Sequence, residues 1–146
     1  MLLSAILRHP LRIIGRSLWL GWEFLVATLD YYWNVTFRRP NSLRTARALW
    51  LQRSSRRVLR VVKLVWQASG PIPKRGLLIS NHLSYLDVLV LAAITPAVFV
   101  SKREVKNWPV FGWFARLAGT LFVNREKRSE VSRSKTEIEQ ALGDGA

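Results

Sequence analysis

Residues able to move a proton come together at Asn81-His82-Leu83-Ser84-Tyr85-Leu86-Asp87. Histidine titrates nearest to neutral pH of all side chains, which suits it to general base work. A neighbouring carboxylate can fix the imidazole tautomer and stabilise the imidazolium. On one continuous helix, residues five apart lie about 140° from each other and out of contact. If His82 sits in a turn before a helix and Asp87 in its first turn, the carboxylate can reach back. The same residues have a simpler reading. Ser84-Tyr85-Leu86-Asp87 fits the Ser-x-x-Asp capping box that starts a helix, and Asn81 fits a turn. Spacing alone leaves both readings open. Ser84 as a covalent nucleophile is a third, and a cap or turn role is preferred to it.

The surrounding pattern supplies elements to carry such a pair. Val61-Val62-Lys63-Leu64-Val65-Trp66 is β-branched and apolar, and predicts a strand. Gly70-Pro71-Ile72-Pro73 predicts a turn. Gly76 to Asn81 predicts a short buried strand, ending where His82 begins. Tyr85 to Ile94 predicts a helix stopped before Pro96, and Ala97 to Ser101 a strand. Trp108 to Ala118 predicts a short helix with Pro109 in its first turn and Gly119 past its end. Thr120 to Val123 predicts a further strand, and Glu130 to Leu142 a polar helix. Strands alternating with helices imply an α/β layer with parallel pairing, and functional groups gather beyond the carboxyl ends of such strands.

Charge and hydropathy divide the chain differently. The 146 residues carry a net +14, and hydrophobic residues make up 49%, so basic and apolar positions must be segregated. Residues 1–60 hold eleven Arg against only Glu23 and Asp30, a net +9, together with Trp19, Trp22, Trp33 and Trp50. Arginine and tryptophan beside apolar runs suit a bilayer interface better than a nucleic acid, which needs no apolar run. Between Arg16 and Arg38 lie 21 residues without a basic side chain, long enough to span a bilayer as a helix. Glu23, Asp30 and Asn34 interrupt them on a stripe about 40° wide. Spanning would sink two carboxyl groups at about 2.5–3.5 kcal/mol each. An interfacial or re-entrant helix with the stripe kept wet is preferred; a buried helix of a soluble bundle is the remaining alternative. Asn41 to Arg60 predicts a basic helix whose arginines form a solvated face or lie against anionic headgroups. With no Cys in the chain, disulfides and thiolate metal sites are excluded, and no metal is expected.

Three blocks in order carry a resemblance. Asn81-His82 followed by Asp87 resembles the first motif of the glycerolipid acyltransferase family, which includes the 1-acyl-glycerol-3-phosphate acyltransferases. Val100-Ser101-Lys102-Arg103-Glu104 through Trp108-Pro109-Val110-Phe111-Gly112-Trp113 resembles the segment after it. Gly119-Thr120-Leu121-Phe122-Val123-Asn124-Arg125 resembles the second motif, with Asn124 where an acid is common. The resemblance covers roughly residues 60–145.

The resemblance implies an α/β sheet flanked by helices, with residues 61–146 as the N-terminal part of the acyltransferase domain; the charge and apolar pattern already makes residues 1–60 a basic, membrane-associated helical segment, which is consistent with the family without identifying it. It implies an O-acyltransferase in which His82 is the base, Asp87 holds it, and Arg125 with Lys102 pairs with the acceptor phosphate. Asn81, Gly119 and Phe122 support the motifs. The donor would be acyl-CoA or an acyl carrier protein, with no cofactor. The acceptor would be a lysophospholipid, with 1-acyl-glycerol-3-phosphate preferred and a lyso-ornithine lipid the alternative. The location would be the cytoplasmic face of the inner or plasma membrane. The family continues to a Phe-Pro-Glu-Gly-Thr motif on a later strand, whereas the sequence stops at Gly143-Asp144-Gly145-Ala146; a C-terminally incomplete sheet is therefore expected, with an unpaired edge. A basic module that only binds membranes is the non-catalytic rival, and a nucleic-acid binder rests on charge alone.

Overall fold

The structure, a computed structural model, describes residues 10–73, 76–81, 84–124 and 128–143. The apolar N-terminal stretch forms helix α1, Pro10–Tyr31, which widens into a π-helical turn over Tyr32–Phe37. No helix among the described residues is long and apolar enough to cross a membrane. The polar stripe on α1 is not wet, as the preferred interfacial reading required. It faces helix α2, Leu43–Val61. Arg57 Nε lies 3.3 Å from Glu23 Oε2, and Arg53 Nη2 lies 3.1 Å from Asp30 Oδ2. Asn34 donates to Asp30 Oδ1 at 2.6 Å. A charge in a half-buried seam needs an opposite charge, and the second helix provides it. The outer face of α1 is left apolar and exposed, with Leu18, Trp19, Trp22 and Leu29 all open.

Helix α2 starts at Ser42, whose Oγ accepts from Thr45 N at 3.2 Å. It ends later than expected. Val61 is 2% exposed in its last turn, so burial at helical spacing overrides the β-branched preference of Val61 and Val62. Lys63 then turns left-handed at φ 56°, with Lys63 N donating to Arg60 O and Leu64 N to Leu59 O. Those two bonds make a Schellman stop. The predicted strand from Val61 to Trp66 is therefore corrected: it is a helix end followed by irregular chain.

Where α1, α2 and a later helix meet, Trp50 is fully buried at 0% exposure. Its indole Nε1 donates to Ala27 O at 2.7 Å, which satisfies the one polar atom of a large apolar group. Its ring lies against Tyr31 and stacks on Phe114. Trp50 thus belongs to the core with Ala27, Tyr31, Val35 and Ala118, not to a bilayer interface; Trp19, Trp22 and Trp33 stay exposed.

Among the described residues, the second half contains one β-α-β unit. Helix α3, Tyr85–Ile94, matches its predicted bounds. Strand β1, Val100–Lys102, leads through a 3₁₀ turn at Arg103–Asn107 to helix α4, Phe111–Leu117, and strand β2, Leu121–Val123. The two strands pair in parallel, Val100 with Leu121 and Lys102 with Val123. Helix α5, Arg128–Gly143, follows and contacts β2. The architecture is mostly helical with a small parallel sheet, consistent with the α/β expectation but smaller in its sheet. Gly76 to Asn81 does not form the predicted buried strand. It is irregular chain without a ladder partner, and Ile79 is 84% exposed. A strand exists only where a neighbour completes its hydrogen bonds, and among the described residues only β1 and β2 supply that to each other. The helix predicted from Trp108 begins three residues later. Phe111 N donates to Pro109 O at 2.7 Å, closing a tight turn around Val110 at φ 60°, ψ −65°. That is the rarer and strained hand of the three-residue turn.

Candidate active site

Ser84 and Asp87 form a reciprocal cap at the start of α3. Ser84 Oγ accepts from Leu86 N at 3.2 Å, and Ser84 N donates to Asp87 Oδ2 at 2.9 Å. The capping reading of this motif is therefore present in the structure. It does not exhaust Asp87, because an ionised carboxylate offers about four acceptor positions. Asp87 is half-buried at the end of the segment that carries the motif. His82 lies outside the described residues, as does Arg125. Asn81 is exposed and is the last described residue before His82.

The other end of α3 is held by α2. Arg56 Nε donates to Ala93 O at 2.8 Å, and Gln52 Nε2 reaches Ala93 O and Ile94 O, each at 3.3 Å. The last carbonyls of a helix have no internal partner, and a cation beside them also meets the negative end of the helix dipole. Arg56 and Gln52 thereby set the helix that carries Asp87. Sequence reading placed Arg56 on a polar face and passed over Gln52. The usable signal was their i, i+4 spacing next to the small residues Ala92 and Ala93.

Two contacts bring the sequence blocks together. Tyr85, the first residue of α3, meets Trp108 edge to face at 5.1 Å between ring centres. The parallel register sets Lys102 beside Val123, so the exposed Lys102 and the start of the Asn124-Arg125 step share the carboxyl edge of the sheet. Phe122 pairs with Ser101 and is half-buried. Gly119 turns at φ 74° and ends α4 in a second Schellman stop, with Gly119 N on Arg116 O and Thr120 N on Ala115 O; its role in the third block is thus conformational. Gly112 is buried where α4 crosses the 3₁₀ turn, and a Cβ there would lie 2.5 Å from Lys106 O. Among the described residues no three of His, Cys, Asp and Glu gather as a metal set would require. The carboxyl edge of the sheet carries the exposed Lys102 at a strand end, and the Asp87 carboxylate stands at the start of α3.

Comparison with known proteins follows the same blocks. The family model described as Acyltransferase matches residues 65–146. The chain is 38% identical over 99 residues to a lyso-ornithine lipid O-acyltransferase of Rhizobium meliloti, covering 66% of this chain and 34% of that protein. It is 46% identical over 66 residues to a lyso-ornithine lipid O-acyltransferase of Brucella abortus, covering 45% of this chain and 25% of that protein. It is 37% identical over 79 residues to a 1-acyl-sn-glycerol-3-phosphate acyltransferase of Neisseria meningitidis, covering 52% and 31%. The chain thus spans about a third or less of the length of these curated relatives. No solved structure matches it. With more than half of its residues inside the family model, the chain belongs to the acyltransferase family.

Proposed function

We propose that the protein is an O-acyltransferase that moves a fatty acyl group from an acyl thioester to the free hydroxyl of a lysolipid. The observation that carries this reading is the carboxyl edge of the sheet, where Lys102 stands beside Val123, the residue before Asn124. In this proposal His82 takes the hydroxyl proton as the oxygen attacks the thioester carbonyl. The C–S bond breaks and the thiol leaves with a proton. Asp87 orients His82, an arrangement worth roughly 10²–10⁴-fold in rate. Lys102 and Arg125 neutralise an anionic acceptor. The donor is acyl-CoA or an acyl carrier protein, which places the reaction at the cytoplasmic face of the membrane.

The acceptor proposed first is 1-acyl-glycerol-3-phosphate, whose phosphate suits two cations. A lyso-ornithine lipid is the second reading, supported by the relatives from Rhizobium meliloti and Brucella abortus. A thiol-release assay on the protein from its complete reading frame, offered each acceptor in turn with His82→Ala as control, tests both. Equal rates in wild type and His82→Ala would refute the catalytic proposal, and the preferred acceptor decides between the two lipids.

The α1–α2 hairpin is proposed to lie on the membrane surface. Its support is the outward apolar face with Leu18, Trp19, Trp22, Trp33 and Phe37, the last 79% exposed. A contiguous exposed apolar face of this kind marks an interaction surface, and tryptophans favour the headgroup level. Replacing Trp19 and Trp22 by Ser should abolish sedimentation with phosphatidylcholine vesicles.

A further inference from the structure

Apolar side chains gather in the open at the turn that leads into α4. Trp108, Pro109, Val110, Phe111 and Trp113 are all exposed, Phe111 to 59%. Val110 is held at φ 60°, a conformation that a β-branched residue rarely takes. Its side chain is 51% exposed and recovers little of that strain through burial. A strained tip that displays apolar side chains points to an interaction surface.

Ring contacts tie the turn to its neighbours on two sides. Trp113 meets Phe114 edge to face at 5.0 Å, and Phe114 lies 5.0 Å from Phe24 of α1. Phe24 adjoins the exposed Leu25 of the hairpin. On the other side, Trp108 meets Tyr85, which is exposed and stands two residues before Asp87. A line of aromatic side chains thus joins the hairpin, the turn and the start of α3. Charge selects the occupant. Residues 100–118 carry Lys102, Arg103, Lys106 and Arg116 against Glu104, a net +3. Tryptophans with nearby cations suit the headgroup level of an anionic bilayer, whereas protein interfaces are depleted in lysine.

We propose that the 108–113 turn is a second membrane contact, which dips into the headgroup layer of an anionic bilayer and sets the start of α3 against the lipid surface. The proposal rests on the reading of the hairpin as a membrane-surface element. It goes further by bringing the second half of the chain down onto the bilayer. The turn follows the hairpin rather than anchoring the chain, since one short apolar element binds membranes only marginally. A lysolipid would then reach the proposed base without leaving the membrane.

The test uses the full chain, whose lack of Cys lets one introduced thiol carry an environment-sensitive dye. The dye is placed in the turn by V110C, in the hairpin by W19C and at an exposed position of α5 by Q140C. The vesicles are phosphatidylcholine with phosphatidylglycerol, part of the phosphatidylcholine bearing a nitroxide on its acyl chain. The nitroxide should quench the dye at V110C and W19C and leave it bright at Q140C. F111C carries the dye if V110C unfolds. F111S should weaken co-sedimentation with the same vesicles about tenfold at an unchanged unfolding midpoint, as expected when part of a phenylalanine side chain is withdrawn from lipid. Quenching at W19C alone, or an unchanged affinity in F111S, would overturn the turn as a membrane contact while the hairpin reading stands. Quenching at V110C alone would overturn the hairpin reading and, with it, a turn that follows the hairpin. Quenching at neither position would overturn both, and equal quenching at all three would mean indiscriminate adsorption and overturn the turn as a distinct contact. A dye at V110C already shielded before vesicles are added would assign the turn to a protein contact and overturn lipid as its occupant; dependence of that shielding on protein concentration would identify a second copy of the chain.

Discussion

Arg57 of α2 and Glu23 of α1 approach to 3.3 Å across the hairpin, with side chains 21% and 14% exposed. The contact is an ion pair without hydrogen-bond geometry, since neither Arg57 Nε nor Glu23 Oε2 has a hydrogen-bond partner. Arg57 also stands 3.8 Å from Asp30, so one cation serves two acids. The hairpin is therefore charged within and apolar outside on α1. Exposed pairs contribute about 0–1 kcal/mol, while breaking a buried pair costs about 3–5 kcal/mol. Arg57→Met should fall between, at about 2 kcal/mol, read as a lower urea midpoint of the helical signal. Replacing all four charges together, as E23L/D30L/R53M/R57M, should recover most of that loss, because no lone charge is then left in the seam. An unchanged midpoint in Arg57→Met would show that the pair is solvated and the seam open.

These partners were only half legible in the sequence. The stripe of Glu23, Asp30 and Asn34 was visible from its spacing, but a polar stripe on an apolar helix reads equally as wet or as paired. Arg53 and Arg57, one turn apart, formed the complementary stripe. Joining the two required knowing that the chain doubles back at Ser42. Helix α3 was readable to its end residues because its signals are local, the Ser84 cap and the following Pro96. The strands were not, because pairing is non-local: Val61 went to a helix core, and Leu77, Leu78 and Ile79 found no ladder. The blocks around Lys102 and Gly119 were recognised in order, while the Tyr85–Trp108 contact that joins the first two needed the fold. The role of His82 and Arg125 rests on the motif resemblance, both lying outside the described residues.

Gly112 gives a sharp test of the join between the 3₁₀ turn and α4. An alanine Cβ would stand 2.5 Å from Lys106 O and 2.6 Å from Val105 O, both backbone atoms that cannot rotate away. Gly112→Ala should therefore destabilise by about 1–3 kcal/mol, the usual range for overpacking a close contact, despite the better helix propensity of alanine. Thermal unfolding by circular dichroism reads it. A raised midpoint would mean that propensity wins and that the turn does not press on the helix.

Lys63 predicts a change of the opposite sign. It is exposed and held at φ 56° by the two hydrogen bonds that end α2. A left-handed non-glycine residue costs roughly 1–2 kcal/mol. Lys63→Gly removes that cost but gives some back through the freer unfolded chain. A net gain of about 0.5–1 kcal/mol is expected in the same unfolding measurement. A loss would show that the lysine side chain makes a contact worth more than the strain.

Ser84 and Asp87 allow the cap and the proposed chemistry to be separated. If Asp87 serves only the cap, Ser84→Ala and Asp87→Asn should harm the protein alike, each by about 1 kcal/mol of helix stability. Under the proposed mechanism the two diverge. Ser84→Ala should lose the cap energy and keep turnover within a few-fold of wild type. Asp87→Asn keeps the shape but loses the charge that stabilises an imidazolium, and turnover should fall roughly 10²-fold or more. The assay is thiol release at saturating acceptor, with unfolding midpoints measured on the same samples. Equal loss of turnover in both variants would assign Asp87 to the cap alone or bring Ser84 into the chemistry. Trapping an acyl group on Ser84 would identify the second case, since direct transfer leaves no covalent intermediate on the protein.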